Sequence, residues 1–258
     1  MDFSAAWSEF GDRTNPPILF LHGIRLGRDV WTEHARMLAP RFHVVTVDLP
    51  GHGVLEHVPF TQENVSSLLD RVVGDVLQAP PLIVGYSLGG FVTMRFAAGR
   101  QERTAGLVLA DCTLDFEGWK WWPYGATVTF TEHLPQPLYN ALVHATLSLT
   151  LPQRWVELVE SIPFNRQVFA QTSAIVREQK DALAEIATYR KPVLIVNGEY
   201  DFAFRSDERR YLHRLPQARL RLLRGADHVG PLIRAEEFAV IIEEFAQKVF
   251  GRASTSSA

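Results

Sequence analysis

The sequence predicts an α/β fold: a mostly parallel, doubly wound sheet flanked by helices, with an α-helical segment inserted late in the chain. Three observations predict it. Short apolar runs alternate with helically spaced segments from residue 18 to residue 111, the rhythm of parallel strands joined by right-handed helical crossovers. One run, Leu82-Ile83-Val84, passes directly into Gly85-Tyr86-Ser87-Leu88-Gly89, a spacing that turns a strand sharply into a helix. The rhythm stops after Asp111 and resumes at Lys191-Pro192. Residues 1–111 and 191–252 are therefore expected to form the core, 112–190 a helical cap, and 253–258 a disordered tail.

The elements follow in order. Residues 1–17 have room for one strand, around Trp7 to Phe10. Ile18-Leu19-Phe20-Leu21 is an unbroken apolar run after two prolines, which reads as a strand buried on both faces. It ends at His22-Gly23-Ile24-Arg25. Trp31, Ala35 and Leu38 recur at helical spacing between Val30 and Ala39, and Pro40 stops that helix. Phe42 to Val47 is the next strand, closed by the turn cluster Asp48-Leu49-Pro50-Gly51-His52-Gly53. Thr61 stands where it can cap a helix. Val65, Leu68, Leu69, Val72, Val73, Val76 and Leu77 form that helix's apolar face. The strand before Ser87 and the helix after it come next, followed by a strand over Gly106 to Asp111.

From Cys112 to Lys191 no strand of comparable strength is predicted. Prolines at 123, 135, 137, 152 and 163 divide the segment into short helical pieces, with spacing clearest over Pro137–Leu149 and Val168–Ile186. Trp119, Trp121, Trp122 and Trp155 all lie here. They read either as the segment's own core or as walls of an apolar pocket above Ser87. Strands resume over Val193–Gly198 and Arg219–Leu223. Phe238, Ile241, Ile242, Phe245 and Val249 then line one face of a final helix.

Composition narrows the class. At 258 residues, 47% hydrophobic and 21% charged, the chain fits one large globular domain or two small ones. A net charge of -3 gives no electrostatic reason to expect nucleic acid or an anionic membrane as partner. No apolar run is long enough to cross a bilayer. The single cysteine, Cys112, excludes an intrachain disulfide, fits a reducing compartment and reads as a small buried apolar residue. Met1-Asp2-Phe3-Ser4 does not open a basic region followed by an apolar core, so a cytoplasmic location is expected. The histidines show no metal-ligand spacing, and no phosphate-cradling glycine loop is present, so neither metal nor cofactor is expected.

Chemistry explains the Ser87 turn. Gly85 and Gly89 keep the neighbouring backbone bare, Ser87 sits at the tip, and the Leu88 N–H points to where charge develops on an attacked carbonyl. A serine hydroxyl needs a base within hydrogen-bond reach, and the base needs a partner that fixes its tautomer. Asp201, in Gly198-Glu199-Tyr200-Asp201, and His228, in Gly225-Ala226-Asp227-His228, follow the last two strands. In a parallel sheet such loops gather at the carboxyl edge, and the order Ser, Asp, His suits this architecture.

Taken together, these signals resemble the α/β-hydrolase fold family over nearly the whole chain. The chain carries a His-Gly turn at His22-Gly23, an Asp-x-x-Gly-x-Gly turn at Asp48–Gly53, the serine elbow, the acid and the histidine. The resemblance implies that the Ile24 N–H joins that of Leu88 in an oxyanion hole, and that the insert is a lid over the pocket. Val54 departs from the small polar residue often found after the second turn. The short stretch before Ile18 implies a trimmed sheet edge.

Asp111, at the end of the preceding strand, competes with Asp201 as the triad acid. Asp227 reads as structural, and His22 and His52 as turn-stabilising. Arg25, Tyr86, Trp119 and Trp122 are candidate substrate contacts; for Arg25 the competing reading is a solvated or locally paired side chain. The expected function is hydrolysis of a small carboxylic ester, with an apolar or aromatic part, through an acyl-enzyme. The same triad also serves carbon–carbon hydrolysis, lactone opening, acyl transfer or lyase chemistry, and a vestigial triad would leave a ligand receptor.

Overall fold

Apolar residues that alternate along the strands divide between the two faces of one seven-stranded sheet. A computed structural model describes residues 3–115, 120–168, 170–172 and 182–255. The strands are β1 (Trp7–Phe10), β2 (Pro17–Leu21), β3 (His43–Val47), β4 (Leu82–Tyr86), β5 (Gly106–Ala110), β6 (Val193–Gly198) and β7 (Ala218–Leu223). Their spatial order is β1-β3-β2-β4-β5-β6-β7. Only β1 runs antiparallel, against β3; every other pairing is parallel. Strands β2 to β6 are buried throughout, as unbroken apolar runs covered on both faces require.

Leu19, Leu21, Val45, Val47, Ile83, Leu107 and Ile195 face one layer, packed against α2 (Gln62–Arg71) and α3 (Leu88–Ala98). Ile18, Phe20, Val44, Val84, Val108 and Val196 face the other, packed against α1 (Thr32–Leu38) and the C-terminal helix. The period of two along each strand sorts them. Thr61 caps α2 as expected, its Oγ1 accepting the Asn64 N–H at 3.2 Å.

Local details differ from the sequence reading. The helix expected over Val30–Ala39 is a 3-10 turn, Arg28–Trp31, followed by α1. The helix after Thr61 ends in a π turn over Val72–Val76. Strand β5 stops at Ala110, and Asp111 takes a φ of 45°.

Between β5 and β6 lie α4 (Trp121–His133), α5 (Gln136–Thr150), α6 (Gln153–Ser161) and α7 (Ala182–Ile186). Among the described residues of this stretch there is no strand, only an isolated bridge from Phe164 to His52. Pro135 and Pro152 stand at the N-caps of α5 and α6 with extended backbone, as the missing proline N–H favours. Much of the helix expected over Val168–Ile186 lies outside the described residues. Trp155 joins the layer around Trp31 and Phe238. In α5 only Tyr139 is buried, and Leu138, Leu142 and Leu149 are exposed.

Three helices complete the chain: α8 (Glu208–Arg214), α9 (Gly230–Ile233) and α10 (Ala235–Thr255). Residues 253–255, expected in a disordered tail, continue α10 as helix; the remainder of that tail lies outside the described residues. Among the described residues no helix is long and apolar enough to cross a membrane.

Candidate active site

Ser87 sits between β4 and α3 at φ 50°, ψ −117°, a conformation L-residues rarely adopt and one that surrounding structure must enforce. The glycines around it explain the enforcement. A Cβ on Gly85 would lie 2.3 Å from Thr93 Oγ1 and 2.4 Å from the Gly89 carbonyl oxygen. A Cβ on Gly89 would lie 2.3 Å from the Leu21 carbonyl oxygen. Bare backbone therefore lets the first turn of α3 press against the end of β2. The Ser87 N–H donates to the Ala110 carbonyl at 2.9 Å, tying the elbow to β5.

The structure brings Ser87, His228 and Asp201 together. His228 Nε2 lies 3.1 Å from Ser87 Oγ, and His228 Nδ1 lies 2.6 Å from Asp201 Oδ2. A carboxylate only accepts, so Nδ1 carries the hydrogen and Nε2 is left to accept from the serine. Asp201 Oδ1 accepts the Phe204 N–H at 3.3 Å. Ser87 and Asp201 are buried, while the His228 side chain keeps a third of its surface exposed. Register explains the meeting. β6 pairs with β7 up to Gly198 opposite Leu223, and the Tyr200 N–H donates to the Ala226 carbonyl at 2.8 Å. The two loops therefore leave the sheet side by side.

Asp111, the competing acid, lies in the same cluster without reaching the imidazole as its hydrogen-bond partner. Its carboxylate oxygen, one from Asp201 and a ring nitrogen of His228 lie within 4.8 Å of one another. Such a set has the composition of a metal site. The 2.6 Å contact at Nδ1, however, is a hydrogen bond and occupies the position that a cation would need as a lone pair.

Leu88 opens α3, and a first-turn N–H has no intrahelical acceptor. The turn holding Ile24 closes with the Leu26 N–H on the Gly23 carbonyl at 3.3 Å, Arg25 taking a φ of 62°. It abuts the elbow: a Cβ on Gly23 would lie 3.2 Å from Ser87 Cβ. Two buried histidines tie it down. His52 Nε2 accepts the Arg25 N–H at 3.1 Å, while its Nδ1 donates to the Pro50 carbonyl at 2.9 Å. His22 Nε2 accepts the Leu49 N–H at 3.0 Å, while its Nδ1 donates to the Gly23 carbonyl at 2.8 Å. Burial pushes the His22 imidazole down to about 4 and His52 well below the ordinary range, so both remain neutral and can accept. Their turn-stabilising role is as expected.

Asp48 binds the same turns. Its oxygens accept the Arg28 N–H at 2.7 Å and the Val54 N–H at 3.2 Å. Val54 contributes only its backbone and leaves its side chain exposed, which explains why the residue type is free there. Asp227 accepts the Val229 N–H at 3.2 Å, a structural contact within its turn.

The other candidates fare differently. Tyr86 is buried, and its hydroxyl donates to the His228 carbonyl at 2.8 Å. It holds the histidine loop, and its ring packs edge-on against Trp31, with centroids 6.0 Å apart. Trp122 is 77% exposed on α4. Trp119 lies outside the described residues. The Arg25 guanidinium donates to the Tyr139 hydroxyl at 2.9 Å and lies over the Tyr139 and Phe164 rings, so it is paired locally with the insert.

Sequence reasoning missed several supports. The Phe204 ring stacks on His228 with centroids 4.2 Å apart. Beneath the Asp201 loop, Asn197 Nδ2 donates to Thr113 Oγ1 at 3.0 Å and to Glu208 Oε2 at 2.8 Å. The Arg205 Nε–H donates to the same Glu208 oxygen at 3.0 Å. Loop residues of this kind have no periodicity, and the one available signal was their nearness to Asp201 in sequence.

Comparisons with known proteins agree with this geometry. A family model described as the alpha/beta hydrolase family matches residues 18–241. The pimeloyl-[acyl-carrier protein] methyl ester esterase of Nitrosomonas europaea is 28% identical over 241 residues, covering 86% of this chain and 92% of that protein. The enzyme of the same name from Nitrosospira multiformis is 26% identical, over 90% and 95%. Among solved structures, one from work on carboxylesterases of Nitrososphaera gargenis superposes with a TM-score of 0.83 at 17% identity, covering 95% of each chain. A thermophilic esterase from Thermogutta terrifontis gives 0.79 at 21%, covering 95% of this chain and 93% of that one. Both structural likenesses are likenesses of fold.

Proposed function

The chain belongs to the alpha/beta hydrolase family and is a hydrolase, and on that premise we propose that it cleaves a small carboxylic ester through an acyl-enzyme, without a cofactor. The observation that carries this reading is the unbroken hydrogen-bonded chain from Ser87 Oγ through His228 to Asp201, at 3.1 and 2.6 Å. Asp201 Oδ2 holds the Nδ1 hydrogen, so Nε2 is the base. Ser87 Oγ attacks the ester carbonyl as Nε2 takes its proton, and Asp201 supports the imidazolium. The Leu88 and Ile24 N–H groups receive the oxyanion; one such donor is typically worth about 3 kcal/mol of barrier. The imidazolium then protonates the departing alcohol. Water, activated by the same nitrogen, releases the acid and frees Ser87.

An ester is favoured as substrate because the relatives above are named as methyl ester esterases. In this reading residues 112–190 act as the cap. It is supported by the bonds that join them to the oxyanion side of the sheet: Arg25 to Tyr139, and the Gly53 N–H to the Pro163 carbonyl at 2.9 Å. An apolar or aromatic substrate group would lie beneath it. A reducing, cytoplasmic setting belongs to the same reading and is supported by the buried free thiol of Cys112.

The test is Ser87→Ala against a panel of methyl and nitrophenyl esters. Turnover is expected in the wild type, with a burst of alcohol release on activated esters, and none in the folded variant. Undiminished turnover by Ser87→Ala would refute the assignment.

A further inference from the structure

The second carboxylate at the triad is not a spare acid. We propose that Asp111 is a positioning residue: its carboxyl carries a proton and donates it in a hydrogen bond to Asp201, fixing the carboxylate that holds His228. The proposal rests on the serine-hydrolase reading only for its catalytic consequence.

Asp111 ends β5, between the elbow strand and β6, with its N–H on the Val196 carbonyl at 3.0 Å and a φ of 45°. Aspartate and asparagine tolerate that left-handed conformation better than most residues. The turn aims the side chain across the carboxyl ends of β5 and β6. There Oδ1 accepts the Gly198 N–H at 2.7 Å. Oδ2 is fully buried and receives no donor. A bare carboxylate oxygen in that position would be costly, whereas a carboxylic acid turns the same atom into a donor.

Asp201 is the acceptor within reach: a carboxylate oxygen of each residue lies within 4.8 Å of the other. Two carboxylates this close in a dry site do not both ionise. The surroundings decide which keeps the proton. Asp201 receives two donors, His228 Nδ1–H and the Phe204 N–H, and both favour its charge. Asp111 receives one, and no solvent reaches it. Burial first, and then the Asp201 charge and that of Asp227, push its carboxyl well above the ordinary carboxylate range. The remaining titratable neighbours are the His228 ring, the Tyr86 hydroxyl and the Cys112 thiol, and burial pushes the last two up, so both stay neutral. Of the two carboxyls beside the imidazole, Asp201 alone then carries a charge, and it is held from two sides.

Infrared spectroscopy on the full chain at neutral pH is the direct test. A protonated-carboxyl C=O band is expected in the wild type and in Ser87→Ala, and it should vanish in Asp111→Asn. Absence of the band from the wild type, or its survival in Asp111→Asn, overturns the proposal. Neither result depends on turnover, so a failure here is separable from a failure of the hydrolase reading.

Kinetics supply the second arm. Asp111→Ala removes the donor and should lower kcat about tenfold with KM little changed. Asp111→Asn keeps both a donor and the acceptor for Gly198, so it should recover most of that loss with the acid limb of the kcat/KM profile unmoved. If Asp111 were instead charged, Asp111→Asn would remove a negative charge beside the imidazole and shift that limb downward by about one pH unit or more. That shift would also overturn the proposal. Should Asp111→Ala fail to fold, the asparagine variant and the spectrum decide the matter.

Discussion

The Arg25 guanidinium donates to the Tyr139 hydroxyl at 2.9 Å, joining the turn beside Ser87 to the one buried residue of α5. Arg166 lies 4.5 Å from the centre of the same ring. Tyr139 is thus one of the points at which the helical insert is held to the turn beside Ser87.

Replacing Tyr139 with Phe keeps the ring under Arg25 and removes the acceptor. A part-buried hydrogen bond to a charged group is worth about 1.5–3 kcal/mol. A lower urea midpoint and faster proteolytic cleavage within 112–190 are expected. Cleavage at the wild-type rate would mean that the insert is held elsewhere.

Gly89→Ala tests the elbow's packing. The new Cβ would lie 2.3 Å from the Leu21 carbonyl oxygen and 2.7 Å from that of His22, and backbone atoms cannot turn aside. A loss of about 3 kcal/mol of stability is expected, read in denaturant melts, with ester turnover falling in whatever remains folded. A variant as stable and active as the wild type would show that α3 can shift without disturbing Ser87.

The buried histidines predict an acid-sensitive fold. His34 bonds through Nε2 to the Pro231 carbonyl at 2.8 Å, and burial pushes its imidazole down from 6.5 to about 4, as it does that of His22. Below 6.5 the unfolded imidazoles take protons while the folded ones stay neutral, so the unfolded state gains. Their contribution is full above 6.5 and is lost as pH falls toward 4. Removing one such group by His34→Gln should flatten the stability curve between pH 6.5 and 4 by about 1.4 kcal/mol per pH unit. Asp111 works in the opposite direction, since its raised carboxyl makes the folded state the better proton binder. The wild-type minus variant difference isolates His34, and parallel curves would exclude its contribution.

Much of this architecture was legible in the residues. Unbroken apolar runs can be buried only inside a covered sheet, which is why β2 to β6 were readable. A glycine on each side of Ser87 is a steric requirement written into neighbouring positions. Less legible were details set by non-local packing. Phe204 shows no pattern until it stacks on His228. Trp122 and Tyr86 both read as pocket aromatics, yet one is largely exposed and the other is buried against Trp31. Periodicity gives the faces of an element, but not which neighbour each face meets.

By itself, the sequence determined the alternating α/β layers, the elbow at Ser87 and the order in which serine, acid and histidine leave their strands. These follow from local rules: side-chain period, glycine sterics and the short reach of turns. The tertiary structure alone placed Asp201, rather than Asp111, in hydrogen-bond contact with His228. Both stand at strand ends on the same rim, and sequence distance from His228 does not separate them. The pairing of β6 with β7 does, because it carries the 201 and 228 loops off the sheet together and leaves Asp111 one strand back, bonded to Gly198 and within 4.8 Å of the Asp201 carboxylate.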